Sequence, residues 1–299
     1  MPRLKYEDHN FKPASLRLIA IANEIITEYQ AQGFDLTLRQ LYYQLVARDH
    51  IPNTVRSYKR LGYMINNARL AGLVDWNHII DRTRSVRSAA HFGKPKDIIE
   101  RYTQAYRIDM WANQGYRPEV WIEKDALIGV ISGVCNDYDV PYFSCRGYSS
   151  QSAMWRSSQK FMNANMDGKV PVVIHLGDHD PSGLDMTRDI FDRLELFMGG
   201  MEVMRIALNM DQIEQHSPPP NPAKISDSRY YKYAWEHGTS SWELDALDPR
   251  TIADTISRTL DGLIERSAWE ADEAREKQGQ EQLKAIAENF ETALRAAQE

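Results

Sequence analysis

Two carboxylates separated by one residue follow an apolar stretch of the sequence. Residues 169–176 read Lys-Val-Pro-Val-Val-Ile-His-Leu, and Asp178 and Asp180 come shortly after them. This composition is typical of a central strand in a parallel sheet, and α/β proteins build their sites at the carboxyl ends of such strands. Side chains two residues apart in extended backbone point the same way. The pair can therefore serve one hard cation such as Mg²⁺, which prefers carboxylate oxygens.

A third acid ends an earlier predicted strand, residues 119–123. Its last residue, Glu123, can lie beside Asp178 and Asp180 at the same edge of the sheet. Plainer interpretations exist, because Asp-His-Asp-Pro-Ser-Gly is a composition that tight turns prefer, and Glu123 with Lys124 can be an exposed ion pair. Glu at one strand end together with Asp-x-Asp at another favours the metal-site interpretation.

A tyrosine and an arginine share one face of a predicted helix at 38–48. The helix opens on Thr37 and Gln40, a capping-box pattern. Its apolar stripe consists of Leu38, Leu41, Tyr42, Leu45 and Val46. Tyr43 is turned about 100° from this stripe, with Arg39 one helical turn before it. Since a phenol ionises only near pH ~10, a neighbouring guanidinium would help it attack a phosphodiester; the alternative is a tyrosine that only touches a DNA backbone.

Three predicted helices open the chain, at about 16–29, 38–48 and 54–70. A strand-like segment at 74–80 and the basic segment 81–87 follow them. Three short helices before an extended segment indicate a winged helix-turn-helix, with the wing inferred from that order. Six basic side chains are candidates for gripping a DNA backbone: Arg56, Lys59, Arg60, Arg82, Arg84 and Arg87. The alternative for each is a solvated position on a helix face or loop.

From residue 117 onward, predicted strands and helices alternate. The strands lie at 119–123, 140–145, 169–176 and 201–208, with helices between them. This alternation predicts an α/β fold with a parallel sheet flanked by helices. We expect two domains, a helical winged-helix domain at 1–116 and an α/β domain at 117–299. The second domain would end in a helical extension, with helices at 249–266 and 269–299.

Two further acids, Glu243 and Asp245, precede this extension in the segment Trp-Glu-Leu-Asp-Ala-Leu. They can supply another carboxylate to the predicted metal site. Alternatively, the segment begins a packed helix that buries Leu244 and Leu247. The sequence leaves the two alternatives open.

Composition restricts the class of protein. The 299 residues are 42% apolar and 26% charged, which is ordinary for a globular chain of about two domains. Residues 1–117 carry 18 Lys+Arg against 11 Asp+Glu, a net charge of +7, and residues 118–299 carry 18 against 31, a net charge of −13. Such a division fits a polyanion-binding unit joined to a carboxylate-rich one, with chance unevenness as the alternative. Two cysteines and the absence of an apolar run of ~18 residues predict a cytoplasmic protein without a membrane segment.

These motifs together resemble a known family. Glutamate after one strand and Asp-x-Asp after a later one is the pattern of the Toprim domain of topoisomerases, primases and some nucleases, and Glu123, Asp178 and Asp180 fall at its positions. The segment 38–43, Leu-Arg-Gln-Leu-Tyr-Tyr, is similar to the Arg-Asp-Ile-Tyr-Tyr type motif of topoisomerase VI A subunits and the meiotic double-strand-break protein. The segment 122–126 resembles the family's Glu-Lys-x-Ala. A winged helix precedes a Toprim domain in that family, and the chain's length is nearest to its compact Mini-A relatives.

The resemblance implies a reaction and assigns residues to it. Tyr43 would be the nucleophile, and Glu123, Asp178 and Asp180 would bind Mg²⁺, or Mn²⁺ in its place. The product would be a phosphotyrosyl link to the 5′ end of duplex DNA, made by a homodimer in which the tyrosine of one protomer meets the metal site of its mate. The sequence has no Gly-x-x-x-x-Gly-Lys-[Ser/Thr] loop. In the resembled topoisomerase ATP hydrolysis comes from a separate B-type subunit, and the sequence leaves open whether this chain has such a partner.

Two positions depart from the family pattern: His179 stands where glycine is common, and Ser182 where an aromatic residue is common. Three functions are therefore compared. The first is a topoisomerase or break-making enzyme with a tyrosine nucleophile, the second a hydrolytic Toprim nuclease that uses water, and the third a non-catalytic DNA-binding regulator. The first is preferred because the tyrosine motif and the acids occur in the family's order.

Overall fold

The computed structural model describes residues 3–77, 79, 91–149 and 151–290. Within these ranges the chain forms eleven α-helices, a four-stranded parallel sheet and a two-stranded antiparallel sheet. Three of the candidate DNA contacts, Arg82, Arg84 and Arg87, lie outside the described residues. None of the helices in these ranges is long and apolar enough to cross a membrane.

The first three helices are α1 (Pro13–Ala31), α2 (Leu38–Ala47) and α3 (Val55–Leu70). The predicted capping box is present at the start of α2, because the Thr37 hydroxyl accepts from the Gln40 N–H while the Gln40 side chain accepts from the Thr37 N–H. The apolar faces of the three helices share one core. The predicted order of three helices is thus confirmed.

The strand-like segment predicted at 74–80 is wrong for the residues described there. Ile79 makes one isolated bridge to Leu36, and the described neighbours are in turn and irregular backbone. The physical reason is local, because the Asp75 carboxylate accepts from the Asn77 N–H and so closes a turn. The described residues therefore contain a three-helix unit and do not include a wing.

Helix α4 (Pro95–Ala105) packs along the last helix, α11 (Arg266–Glu288). The contact continues past the end of α4, where the Tyr106 carbonyl accepts from the Gln280 side chain. Residues of the predicted first domain thus contact the end of the chain. The domain boundary near residue 116 stays a prediction.

The parallel sheet is formed by β1 (Tyr116–Ile122), β2 (Tyr142–Ser144), β3 (Val170–Leu176) and β4 (Glu202–Ala207). Their order across the sheet is β2-β1-β3-β4, and every neighbouring pair is parallel. The four strands confirm the predicted ones with shifted ends. The carboxyl ends of β1 and β3 are adjacent, because Ile122 pairs with Leu176.

Helices cover both faces of this sheet because its strand side chains alternate between two apolar cores. Val120 and Ile122 face α5 (Ile128–Asp137) and α10 (Pro249–Asp261). Trp121 faces the opposite way, toward α6 (Gln151–Met166) and α7 (Pro181–Phe197). The period of two along β1 thus produces a three-layer α/β arrangement.

The chain after β4 returns to the carboxyl edge of the sheet. Helix α8 (Met210–His216) is followed by β5 (Asn221–Pro222), α9 (Tyr230–His237) and β6 (Ser240–Ser241), and β5 and β6 pair antiparallel. A single 3₁₀ turn, Leu244–Ala246, leads into α10.

The prediction that one helix covers 249–266 is wrong about where that helix ends. Helix α10 ends at Asp261, and α11 begins at Arg266. The break has a capping signal, because the Glu265 carboxylate accepts from the N–H groups of Ser267 and Ala268. Two of the residues between the helices, Leu263 and Ile264, pack against the sheet core.

Candidate functional site

A cavity of about 550 Å³ lies between the three-helix unit and the carboxyl edge of the parallel sheet. Arg39 and Tyr43 line it from α2, Lys124 from the residues after β1, and Asp178 and Asp180 from the turn after β3. Four of these five residues are predicted site residues. The fold therefore brings the tyrosine, the arginine and two of the acids to one cavity within a single chain.

Tyr43 is buried, which corrects the prediction that it lies off the core. It is 3% exposed, and its ring packs edge-on against Tyr42, with 5.2 Å between the ring centroids. Helical periodicity assumed one buried face, whereas α2 packs against α1, α3 and the turn Leu244–Ala246. Contacts on several sides leave seven consecutive residues of α2 buried, Gln40, Leu41, Tyr42, Tyr43, Gln44, Leu45 and Val46.

The surroundings of Tyr43 keep its phenol protonated. Burial is the largest cause that raises its pKa, and the negative charges of Glu243 and Asp245 raise it further. Arg39, whose guanidinium lies 5.8 Å from the centre of the Tyr43 ring, lowers the pKa only in part. Arg39 is thus beside the phenol as predicted, but its charge does not by itself produce a phenolate.

Two acids, Glu243 and Asp245, each pair with Arg39 and with Lys124, two of the cations that line the cavity. The Glu243 carboxylate pairs with the Arg39 guanidinium and lies 2.8 Å from Lys124 Nζ. Asp245 places Oδ2 at 2.8 Å from Arg39 Nε and Oδ1 at 3.0 Å from Lys124 Nζ. Burial would raise the pKa of Glu243, but Lys124 and Arg39 outweigh it and lower the pKa to about 2. The four side chains form an ion-pair cluster between α2 and the sheet edge.

The segment around Glu243 and Asp245 combines features of both alternatives left open by the sequence. Leu244 and Leu247 are buried in the sheet core, as a packed segment requires, and Ala246 is buried in the helical core. The carboxylates of Glu243 and Asp245 contact cations of the cavity, so they belong to the site. They do not lie with Glu123 as further acids of the predicted metal site. The 3₁₀ turn consequently joins two cores and the cavity.

The three predicted metal ligands lie close together, but each is already engaged. Glu123 accepts from the Asp178 N–H at 2.9 Å. Asp178 accepts from the Leu244 N–H at 2.8 Å and lies 2.9 Å from Lys124 Nζ. Asp180 caps α7 by accepting from the Gly183 N–H at 2.7 Å. The turn interpretation is therefore correct for Asp180, while Lys124 is largely buried and pairs with Asp178 instead of forming an exposed pair with Glu123.

The donors fit a hard cation in chemistry, although their present arrangement is not a metal centre. In the part of the chain that the structure describes, no three His, Cys, Asp or Glu side chains are arranged so that they could hold a metal. Burial, and then the charge of Asp180, raises the pKa of Glu123, and burial with the charge of Glu123 raises that of Asp178 to about 7. A bound cation would offset both the cost of burying these charges and the repulsion between the acids.

Arg205 is a partly buried residue of this region that the sequence did not single out. Its guanidinium donates to the carbonyl oxygens of Gly177 at 3.0 Å, Asp178 at 2.7 Å and Gly183 at 3.0 Å. It therefore holds the turn that carries the two aspartates. Burial lowers the pKa of Arg205 to about 10. The available signal was an arginine among the apolar residues 203–208 of the strand predicted at 201–208.

The three described candidates for DNA contact lie on α3. Arg56, Lys59 and Arg60 are exposed on this helix, and its first turn, with Val55 and Tyr58, lines the cavity. The structure thus places an exposed basic face on an element of the cavity wall. Their contact with DNA stays a prediction.

Comparison with known proteins found no protein-family model and no curated protein that matches this sequence. The class of the protein is therefore defined by its fold and cavity. It is an α/β protein with a four-stranded parallel sheet flanked by helices, preceded by a three-helix unit. Three tyrosines, three cationic side chains and three carboxylates line the cavity between them.

Proposed function

We propose that the chain cleaves DNA with Tyr43 as the nucleophile and holds the phosphodiester in the cavity. The observation that carries this proposal is the set of residues lining one cavity, namely Tyr43, Arg39, Lys124, Asp178 and Asp180. A hydroxyl nucleophile next to preorganised positive charge is what phosphoryl transfer requires. The proposal includes the winged-helix assignment of the three-helix unit and the Toprim assignment of the sheet.

In the proposed reaction the Tyr43 hydroxyl oxygen bonds to phosphorus as the bond from phosphorus to the sugar oxygen breaks. The phenolic proton leaves to water, and the departing sugar oxygen takes a proton from water. The product is a phosphotyrosyl link to a 5′ end and a free 3′ hydroxyl. Arg39 and Lys124 would bind the phosphate oxygens, for which Glu243 must release both cations.

Mg²⁺ is part of the proposal, with Glu123, Asp178 and Asp180 as its ligands and Mn²⁺ as the substitute. When bound, the ion supplies positive charge to the phosphate oxygens. The raised pKa values of Glu123 and Asp178 support this assignment, since burial disfavours their charged forms and a neighbouring acid adds to that effect, and a bound cation would offset both causes. The proposal also places Arg56, Lys59 and Arg60 against the backbone of duplex DNA.

A homodimer follows from the proposal if both strands are cut. One chain carries one Tyr43, and breaking two strands requires two nucleophiles. A separate ATPase subunit of the B type would be needed for strand passage. These partners rest on the resemblance described above. That resemblance pairs the tyrosine of one protomer with the acids of its mate, whereas here Tyr43, Asp178 and Asp180 line one cavity of a single chain.

The proposal is tested by incubating the protein with supercoiled plasmid and Mg²⁺, quenching with denaturant and assaying protein bound to cut ends. Tyr43→Phe should abolish the adduct and leave DNA binding within about twofold of the original. Tyr42→Phe is the matched control, because this neighbouring phenol donates to Asn53 and lies in the same core; it should retain the adduct. An equal adduct yield in Tyr43→Phe would refute the proposal.

A hydrolytic nuclease with water as nucleophile is the second candidate. The raised pKa of the buried Tyr43 phenol favours it. Cleavage that survives in Tyr43→Phe without an adduct, and is lost in Asp178→Ala or Asp180→Ala, would assign the reaction to water.

A further inference from the structure

Helix α9 has one buried face and one strongly exposed face. Tyr233 is buried, and its hydroxyl lies 3.0 Å from the His179 carbonyl oxygen, between the two aspartates of the turn. Tyr231 and Trp235 lie one helical turn apart on the opposite side and are 77% and 90% exposed. The helix is therefore fixed behind the Asp178–Asp180 turn while it holds two large aromatic rings in solvent.

The surface around these rings is basic and continuous with the cavity. Lys224 is exposed and also lines the cavity, Ile225 beside it is 69% exposed, and Lys232 is exposed on α9. Residues 217–237 contain three Lys+Arg against two Asp+Glu. Arg229 is paired with Asp227 and Asp185, which leaves Lys224 and Lys232 as the cations of this surface, within a half of the chain whose net charge is −13. We call this surface, made of Lys224, Ile225, Tyr231, Lys232 and Trp235, the aromatic ledge.

We propose that the aromatic ledge binds unpaired nucleotides of the DNA strand whose phosphate lies in the cavity. This inference rests on the proposed function. Exposed aromatic rings stack on bases of any sequence, and neighbouring lysines bind the phosphates between them. Bases inside a duplex already stack on each other, so stacking on Tyr231 and Trp235 requires bases that are unpaired. The substrate class is thus DNA with a single-stranded or melted segment beside the cleavage site.

Charge favours a nucleic-acid strand as the occupant. A second copy of the chain would bring its own ledge, or its acidic remainder, against Lys224 and Lys232. A ledge facing a ledge repels itself, and an acidic face of a second copy could pair only with the two lysines, whereas an extended polyanion can also continue from Lys224 into the cavity, where Arg39 and Lys124 lie.

The test measures binding of fluorescent oligonucleotides by anisotropy, in EDTA and with Tyr43→Phe as the parent, so that no cleavage takes place. The probes are single-stranded DNA, a blunt duplex and a duplex with an unpaired flank. Trp235→Ala should weaken binding of the first and third about tenfold, and leave the blunt duplex within twofold. Trp235→Phe should restore most of the affinity, because a phenyl ring also stacks.

The matched control is Trp155→Ala, which removes a tryptophan that is 52% exposed on α6. Equal binding of single-stranded DNA by the Trp235→Ala and Trp155→Ala variants would overturn the inference. A lower sedimentation coefficient of DNA-free Trp235→Ala would also overturn it, by showing that the ledge joins copies of the chain. Because binding is measured without cleavage, a missing plasmid adduct would refute the tyrosine reaction and leave the result for the ledge unaffected.

Discussion

Asp245 forms ion pairs with two cations of the cavity, Arg39 and Lys124. Its side chain is fully buried, and its two oxygens pair separately with Arg39 and Lys124. Burial opposes charge on Arg39 and Lys124, yet the pKa of each is raised, because the carboxylates of Asp245 and its neighbours outweigh burial. The cationic state of the cavity thus depends on buried acids.

Asp245→Asn should lower the free energy of unfolding by about 3 kcal/mol, since removing the carboxylate of a buried ion pair leaves part of the charge of Arg39 and Lys124 uncompensated. Urea denaturation measures this loss. The matched control is Glu28→Gln, which breaks the exposed pair with Arg48 and should cost less than about 1 kcal/mol. Equal costs for the two variants would contradict the role given to Asp245.

Among the elements, the turn between β3 and α7 has the most tightly constrained backbone. Arg205 donates to two of its carbonyl groups and to that of Gly183 in the first turn of α7, Asp180 caps α7, and Gly183 packs against the backbone of Asp178. A Cβ at residue 183 would overlap with the Asp178 carbonyl oxygen. Glycine is therefore required here for close approach.

Gly183→Ala should lower the melting temperature by several degrees, because the added methyl group forces the Asp178 backbone to move. Gly133→Ala is the control within α5, where an added Cβ meets nothing within 4 Å. That change should leave stability equal or higher by about 0.5–1 kcal/mol, as expected for alanine in a helix. Thermal unfolding followed by circular dichroism compares the two, and similar melting temperatures would contradict the packing argument.

At the scale of the whole molecule, short connections join the helical core to the sheet core. Leu244 and Ala246 of one 3₁₀ turn are buried in different cores, and the Tyr29 hydroxyl of α1 donates to Asp248 at the start of α10 at 2.5 Å. Burial and the Asp248 carboxylate raise the pKa of Tyr29 above its ordinary value. Burial likewise raises the pKa of Tyr233.

The raised pKa values of Tyr29 and Tyr233 predict that the protein loses stability at alkaline pH. Unfolded tyrosine ionises near pH ~10, whereas the folded groups hold their protons to higher pH, so their contribution is complete below pH ~10 and decreases above it. The decrease is up to about 1.4 kcal/mol per pH unit for each group. Urea denaturation at pH 8 and pH 11 measures it. The Tyr29→Phe variant should have a lower free energy of unfolding than the original protein at pH 8. Its free energy of unfolding should then decrease less between pH 8 and pH 11, and an equal decrease in both proteins would contradict the assignment.

Much of the fold could be predicted because its signals are local. The capping box at Thr37, the four strands and the acids at the ends of β1 and β3 each depend on a few adjacent residues and on side-chain periodicity. The errors come from the same use of local periodicity. Periodicity assigned α2 a single buried face, and it did not show the Glu265 cap that separates α10 from α11.

The sequence by itself determined the first three helices and the four strands of the parallel sheet, and that Glu123, Asp178 and Asp180 come to one edge of that sheet. Only the tertiary structure decided that Tyr43 is buried and that Glu243 binds both Arg39 and Lys124, residues 204 and 119 positions away in the chain. Backbone preference acts over a few residues, and strand order follows from chain connectivity. Ion pairs between distant segments depend on how whole faces pack, which no local pattern of residues encodes.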